Sequence, residues 1–492
     1  MPHDVVPSLA PATISRYRAL LDDWPAFVDA VSRPLPVTVW ANRLRVDADE
    51  LSSLLADEGL TAERIGWRPD ALRIHGACKP GLLWSFKAGL FQVQEEAAML
   101  AVRLLGPQPG ERVLDLCAAP GNKTAEIALR VGPRGSVVAV DRNRGRLSAL
   151  VALTSRLGII NVTSLVHDGT QLPSAAGSFD RVLVDAPCSA EGNIRRDARK
   201  AERTRTSAGF RHYVAGRQAA LLRRAVSLCR PGGTIVYSTC TFAPEENEAV
   251  VERVLAECAG MIEPVSAMVD GLDVSDAVDR WEGRAFPTGA RLGLRLWPHR
   301  SGTGGFFAAV FRRLDGPARS GGCGPCQRGN MGVLDDVTAE VVPWLETYRD
   351  RFGLAEEAFA DTRFFRQGRY VRVAACDPLL PTAVALHSTG IPFVRAGGRG
   401  PMMTTAAALA FARSATRNLV ELEAPDADAY YRRLPVTPSP EALEACTGPG
   451  YVLLRHRGHL LGVGWLRVDA GSARVDSLFP KVWALPAGVS GA

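Results

Sequence analysis

Val113-Leu114-Asp115-Leu116-Cys117-Ala118-Ala119-Pro120-Gly121-Asn122-Lys123-Thr124 joins a short apolar run to a loop of small residues, and an apolar helical pattern follows. A strand that turns through small residues into a helix lets backbone approach a ligand closely and aims free N–H groups at it. Ala118, Ala119 and Gly121 supply the room, and Asn122 can take a positive φ where many sequences would use Gly. The loop is neither of the common phosphate motifs. It lacks G-x-G-x-x-G, and the Walker pattern would need Gly where Cys117 and Asn122 stand.

Outward from this stretch, apolar β-branched runs recur at 136–140, 162–166, 181–184, 234–237 and 306–311, with helical patterns between most of them. Such alternation predicts an α/β doubly wound sheet, buried on both faces, with its ligand crevice at the carboxyl ends of the strands. Asp141 ends the second run, where a carboxylate can accept from both ribose hydroxyls of an adenosine ligand. Asp168 follows the third run and is placed to meet the adenine edge. A loop, an acid and an acid on three consecutive strand ends imply a nucleoside ligand.

Two cysteines end the next two strands, in Asp185-Ala186-Pro187-Cys188 and Ser238-Thr239-Cys240. Free cysteines are often plain core residues, but two at adjacent strand ends beside a nucleoside loop suggest one thiol that attacks and one that helps release. That pair suits methylation of pyrimidine C5. Thiolate addition at C6 makes C5 nucleophilic towards the methyl group of S-adenosylmethionine, and loss of the C5 proton then frees the thiol. Asp185 is placed to hydrogen-bond the base edge and stabilise the adduct.

LDLCAAPGNKT, DRN with Arg146, VDAPCSAEG with IRRD, and YSTCTFAPEENE together resemble the ordered motifs of the Sun-type RNA (cytosine-5) methyltransferases. Gly89 to Glu96 resembles that family's entry into the catalytic domain, and Trp297-Pro298-His299 with Gly304 to Phe307 resembles its final strand. Gly450 to Gly464, with Ser477 to Lys481, is similar to the PUA-like tail of the RsmF subgroup, bacterial 16S rRNA methyltransferases. The resemblance implies that Cys240 is the nucleophile and that Cys188 assists release. A swap of the two roles, as in DNA cytosine-5 methyltransferases, is the alternative. The resemblance also implies that S-adenosylmethionine is held by Cys117, Ala118, Ala119, Pro120, Gly121, Asn122, Lys123, Asp141, Arg146, Asp168 and Asp185.

The expected architecture is a small N-terminal α/β domain at 1–95 that grips RNA, and a Rossmann-like class I methyltransferase domain at 96–313. A Gly/Pro-rich linker at 314–333, a helix-rich segment at 334–433 and a PUA-like β domain at 434–492 complete it. The linker has five glycines and two prolines between Leu314 and Asn330. Within the N-terminal part, residues 14–31 and 48–58 read as helices, and 36–40 and 72–74 as strands.

Partners follow from charge and position. The chain of 492 residues carries a formal charge of +6, mildly basic. Residues 195–224 hold ten Arg/Lys against two acids, including Arg195, Arg196, Arg199, Lys200 and Arg203, with Phe210, His212 and Tyr213 interleaved. Cations meet phosphates and aromatic rings stack on unpaired bases, so this run is the expected RNA contact, with Arg455, His456, Arg457 and Lys481 of the tail as further candidates. The partner is then RNA, ribosomal RNA or the small subunit, with transfer RNA the second substrate and, as an alternative of another class, an RNA-binding ribosome-assembly factor whose catalysis is secondary. DNA and membrane are not expected. Ten scattered cysteines and an N-terminus without a leader pattern point to a cytoplasmic protein with reduced thiols. Cys323 and Cys326 have hairpin spacing, but no second pair lies near, so no metal site is expected.

Overall fold

The computed structural model describes residues 12–176, 178–195, 207–315, 334–379, 384–395, 401–469 and 472–484. Five parallel strands form its centre: Arg112–Asp115, Ser136–Asp141, Val162–Val166, Phe179–Asp185 and Cys229–Thr239. The chain steps outward from Arg112–Asp115 to Val162–Val166, then returns to the other side of Arg112–Asp115 with Phe179–Asp185 and Cys229–Thr239. That reversal makes a crevice beside the carboxyl end of the first strand. Phe306–Arg313 runs antiparallel along Cys229–Thr239.

Alternation along the strands explains the two faces. Leu114, Val138 and Val182 enter one buried cluster, whereas Val113, Val137 and Leu183 enter the other. Ala208–Leu228 and Glu248–Glu257 cover the first face; Asn122–Val131 and Glu96–Leu105 cover the second.

The N-terminal sheet is antiparallel, ordered Thr61–Ile65, Arg68–His75, Val37–Ala41, Phe91–Val93. Its helix Ala48–Asp57 begins at Asp47, whose carboxylate accepts from Asp49 N and Glu50 N at 2.9 Å. The single helix expected over 14–31 is broken. Asp23 caps a separate helix, Trp24–Ser32, by accepting from Ala26 N at 2.9 Å, and Pro25 sits in its first turn. Tyr17 and Phe27 from this segment pack on Phe242 and Trp297, which stack 5.3 Å apart. The N-terminal segment thus braces the chain just beyond Cys240.

The segment 334–433 holds helices at Thr338–Phe352, Thr405–Phe411 and Ala424–Tyr431, but strands share it. Thr362–Gln367, Tyr370–Ala375, Ile391–Arg395 and two short flanking strands form a five-stranded sheet, and Leu386–Thr389 joins the edge of the central sheet at Val162–Val166. Phe364, Val371, Val373 and Phe393 bury in one cluster, with Gly368 and Gly390 at positive φ between strands.

The tail is a sheet ordered Leu419–Glu421, Gly450–His456, His459–Asp469, Ser472–Ser477. Its hairpin turns at Arg457-Gly458. The apolar side chains Val420, Tyr430, Tyr431 and Val452 share one core with Val39, Leu51, Leu55 and Leu72 of the N-terminal sheet. Arg45 Nη2 donates to Leu460 O at 2.9 Å across this joint, and Lys87 Nζ to Trp483 O at 2.8 Å. Among the described residues no helix is long and apolar enough to cross a membrane.

Candidate active site

The loop after Arg112–Asp115 is built on Gly121. Gly121 stands at φ +114°, and a Cβ there would lie 2.8 Å from Leu150 Cγ and 3.0 Å from Leu150 Cα. The left-handed residue is therefore Gly121, and Asn122 is the first residue of the helix instead of the positive-φ position expected for it. Asn122 Nδ2 donates to Val93 O at 3.1 Å, and Gln92 Nε2 donates to Asn122 Oδ1 at 2.9 Å, which ties the loop to the N-terminal sheet. Asp115 is buried and accepts from Thr124 Oγ1 at 2.7 Å; burial pushes its carboxyl up to about 7. Burial likewise holds the Cys117 thiol well above its ordinary value.

Around this loop lies a cavity of about 410 Å³, lined by Ala118, Ala119, Asp141, Asp168, Asp185, Cys188 and Cys240, among others. Asp141 Oδ1 accepts from Asn143 N at 2.8 Å, and Arg146 Nη1 lies 3.6 Å from Oδ2. Arg146 also donates to Ala119 O. Asp168 is fixed by Thr170 N at 3.0 Å and by Arg217 Nη2, 3.0 Å from Oδ2. Burial acts against its charge, but the Thr170 and Arg217 hydrogen bonds outweigh it and hold the carboxyl below its usual value. Arg217 is a site residue that sequence reasoning absorbed into the basic run. Its partner lies 49 positions away, so no local signal marks the pairing.

At the far end of the cavity, Cys188 Sγ and Cys240 Sγ are 3.3 Å apart. Asn193 Nδ2 lies 3.2 Å from Cys240 Sγ. Lys123 Nζ sits 2.7 Å from Asp185 Oδ2, and Ser238 Oγ donates to Asp185 Oδ1 at 2.8 Å. The sulfurs are unequal. A hydrogen bond from the Cys188 thiol, with the Lys123 ammonium and Asn193 amide adding to it, holds the Cys240 thiol below its ordinary value against the cost of burial. The same pairing, with burial, holds Cys188 well above. Of the two sulfurs, Cys240 is therefore the more readily ionised. Burial opposes the Lys123 charge, but Asp185 outweighs it and raises its pKa.

The Cys188 loop is itself braced. Glu246 Oε2 accepts from Ser189 N at 2.9 Å and from Gln218 Nε2 at 3.0 Å, and Gln218 also donates to Pro187 O at 2.9 Å.

Of the expected RNA contacts, the structure describes only some. Arg195 donates to Arg33 O at 3.0 Å and to Thr303 O at 2.9 Å, so its guanidinium joins scaffold segments. Arg196, Arg199, Lys200 and Arg203 lie outside the described residues, as do Cys323 and Cys326. In the described part of the run, Arg217 pairs with Asp168, and Arg223 with Glu257 at 2.5 Å. In the tail, Arg455 pairs with Glu421 at 3.3 Å, Arg457 with Asp57, and His456 Nδ1 is 2.7 Å from Leu422 O. Lys481 stays exposed. Among the described residues no cluster of His, Cys, Asp and Glu suits a metal ion.

A family model described as 16S rRNA methyltransferase RsmB/F matches residues 102–312, and one described as the RsmF/B-like ferredoxin-like domain matches residues 14–80. The tRNA (cytosine(49)-C(5))-methyltransferase of Pyrococcus abyssi is 34% identical over 302 residues, 61% of this chain and 95% of that protein. The ribosomal RNA small subunit methyltransferase F of Klebsiella pneumoniae is 34% identical over 58% of this chain and 59% of its own length. The 28S rRNA (cytosine-C(5))-methyltransferase of Mus musculus is 35% identical over 58% of this chain but only 36% of its own. The chain thus spans less than two thirds of the last two. Among solved structures, a methyltransferase homolog from Pyrococcus horikoshii aligns with a TM-score of 0.53 and 27% identity, over 62% of this chain and 100% of that one.

Proposed function

This chain belongs to the RsmB/F family of RNA (cytosine-C5) methyltransferases, and from that membership we propose that it forms 5-methylcytosine in ribosomal RNA of the small subunit, with S-adenosylmethionine as donor. The observation that carries the reading is the sulfur pair: Cys240 Sγ, its thiol held below the ordinary value, 3.3 Å from Cys188 Sγ at the end of a nucleoside-sized cavity.

The residues present fit such a donor. The cavity of about 410 Å³ suits a small molecule, Ala118 and Ala119 leave room along it, and the Asp141 carboxylate that lines it can accept from ribose hydroxyls. Cys117 to Lys123, Asp141, Arg146, Asp168 and Asp185 would hold it, and bound there it would supply an electrophilic methyl group. The Cys240 thiolate adds to C6 of a cytosine and forms the C6–S bond, which turns C5 into the nucleophile. Asp185, anchored by Lys123 and Ser238, hydrogen-bonds the base edge and stabilises the adduct. After methylation a base takes the C5 proton, the C5–C6 double bond re-forms and the C6–S electron pair returns to Cys240. Cys188 is the group placed to assist that release. A cytosine inside a helix cannot reach Cys240, so the target is flipped out or already unpaired.

Transfer RNA is the second reading, favoured by the archaeal relative that the chain covers along 95% of its length. A cytoplasmic location fits either substrate. The test incubates the protein and S-adenosylmethionine with unmodified small subunits, free 16S rRNA and unmodified tRNA, then maps 5-methylcytosine by bisulfite sequencing. A site in 16S rRNA bears the proposal out, a site in tRNA alone moves it to the second reading, and none in any RNA overturns both.

A further inference from the structure

Beyond Cys188 the chain enters a single 3-10 turn, Glu191–Asn193, through Ala190 at φ 60°. Its backbone is clamped on both sides. Gly192 N donates to Cys240 O at 3.0 Å, and Gly305 N donates to Gly192 O at 3.0 Å. A Cβ on Gly192 would lie 2.3 Å from Gly305 O, so here the two backbones meet directly. The clamp fixes where Asn193 starts. Its side chain lines the cavity, with Nδ2 3.2 Å from Cys240 Sγ.

We propose that Asn193 is a catalytic residue, donating its side-chain amide hydrogen to the Cys240 sulfur and stabilising it as thiolate before attack and as leaving group afterwards. The proposal rests on the cytosine-methylation reading. Burial disfavours the thiolate, so the sulfur needs donors. Three groups face it: the Cys188 thiol at 3.3 Å, the Asn193 amide at 3.2 Å and the Lys123 ammonium, with the Asp185 carboxylate opposing. Cys188 and Lys123 both titrate and both have a second duty, release for one and anchoring Asp185 for the other. An amide does not titrate, so Asn193 is the donor that stays constant through the cycle. When the C6–S bond forms, sulfur loses its charge and becomes a weak acceptor. When that bond breaks, the electron pair returns to sulfur and the hydrogen bond regains its full strength. Sequence patterning offers no hint of this, because Asn193 looks like an ordinary loop residue.

The test follows Cys240 alkylation by iodoacetamide against pH, read by mass spectrometry of the peptide that contains it. Asn193→Ala removes the donor, and the near-isosteric Asn193→Asp replaces it with an acceptor, should Asn193→Ala fail to fold. Both should raise the inflection, Asn193→Ala by about one pH unit, so that the alkylation rate near neutral pH falls roughly tenfold, the scale of one hydrogen bond to a charged group. Asn193→Asp should move it further. An unchanged inflection in the folded variants overturns the proposal. The readout needs neither RNA nor methyl donor. An unchanged inflection therefore fails this proposal alone, whereas no RNA methylation by the wild-type protein fails the reading beneath it.

Discussion

Cys188 Sγ lies 3.3 Å from Cys240 Sγ, although the two residues end different strands and stand 52 positions apart. The Cys188 thiol hydrogen-bonds Cys240 and lowers its pKa, while its own is raised, so Cys240 is the sulfur better suited to attack. With cellular RNA and S-adenosylmethionine, Cys188→Ala should accumulate a protein–RNA adduct that survives denaturing electrophoresis. Cys240→Ala should give none. The reverse pattern would exchange the roles.

Lys123 holds Asp185 at 2.7 Å and contributes positive charge beside Cys240. Lys123→Met keeps the apolar stem and removes the charge. The thiolate loses a stabilising cation, so the Cys240 pKa rises. Methyl transfer near neutral pH should fall by about tenfold or more, and part of the loss should return as pH rises. A rate–pH profile parallel to that of the wild type would show that Lys123 does not act on the sulfur.

At Gly121, two penalties coincide. Its φ of +114° is hostile to side chains, and a Cβ would lie 3.0 Å from the Leu150 backbone. Gly121→Ala should lower stability by about 2 kcal/mol or more in urea unfolding, and should weaken donor binding because the loop must shift. Adding Leu150→Ala should recover only the part due to the Cγ contact at 2.8 Å, leaving the backbone strain in place. Full recovery would mean that φ imposes no cost here.

The central sheet was legible because its strands are buried on both faces, so Val113-Leu114 and Val137-Val138 each show as an unbroken apolar pair. The crevice residues were legible because strand ends in this topology converge, which brings Asp141, Asp168, Asp185, Cys188 and Cys240 to one cavity. Long-range partners were not. Nothing local pairs Arg217 with Asp168 or Asn193 with Cys240, and a run of arginines looks the same whether it meets phosphate or carboxylate. The strands at 362–375 escaped because each is six residues long and holds charged residues, such as Arg363, which pairs with Asp336 of the same sheet, and Arg366, which pairs with Glu340 of the helix Thr338–Phe352. The shared core of the N-terminal sheet and the tail joins Leu51 to Tyr431, too far apart in sequence for any pattern to link them.

That joint contains a titrating group. Glu58 accepts from Trp84 N at 3.0 Å and from Ser85 Oγ, beside the Asp57–Arg457 ion pair that crosses to the tail. Burial raises its carboxyl to about 7, against the pull of those hydrogen bonds. Its pKa is then higher folded than unfolded, so the native state holds the proton more tightly. This contribution to stability is complete below the unfolded value, near 4.5, and is lost as pH rises through about 7. Between pH 5 and pH 8 it amounts to roughly 2 kcal/mol. Glu58→Gln keeps the shape without the charge. Unfolding by urea should therefore show the variant gaining on the wild type as pH rises, with the gap widest at pH 8. Parallel stability curves for the two proteins would mean that Glu58 ionises in the folded joint as it does in water.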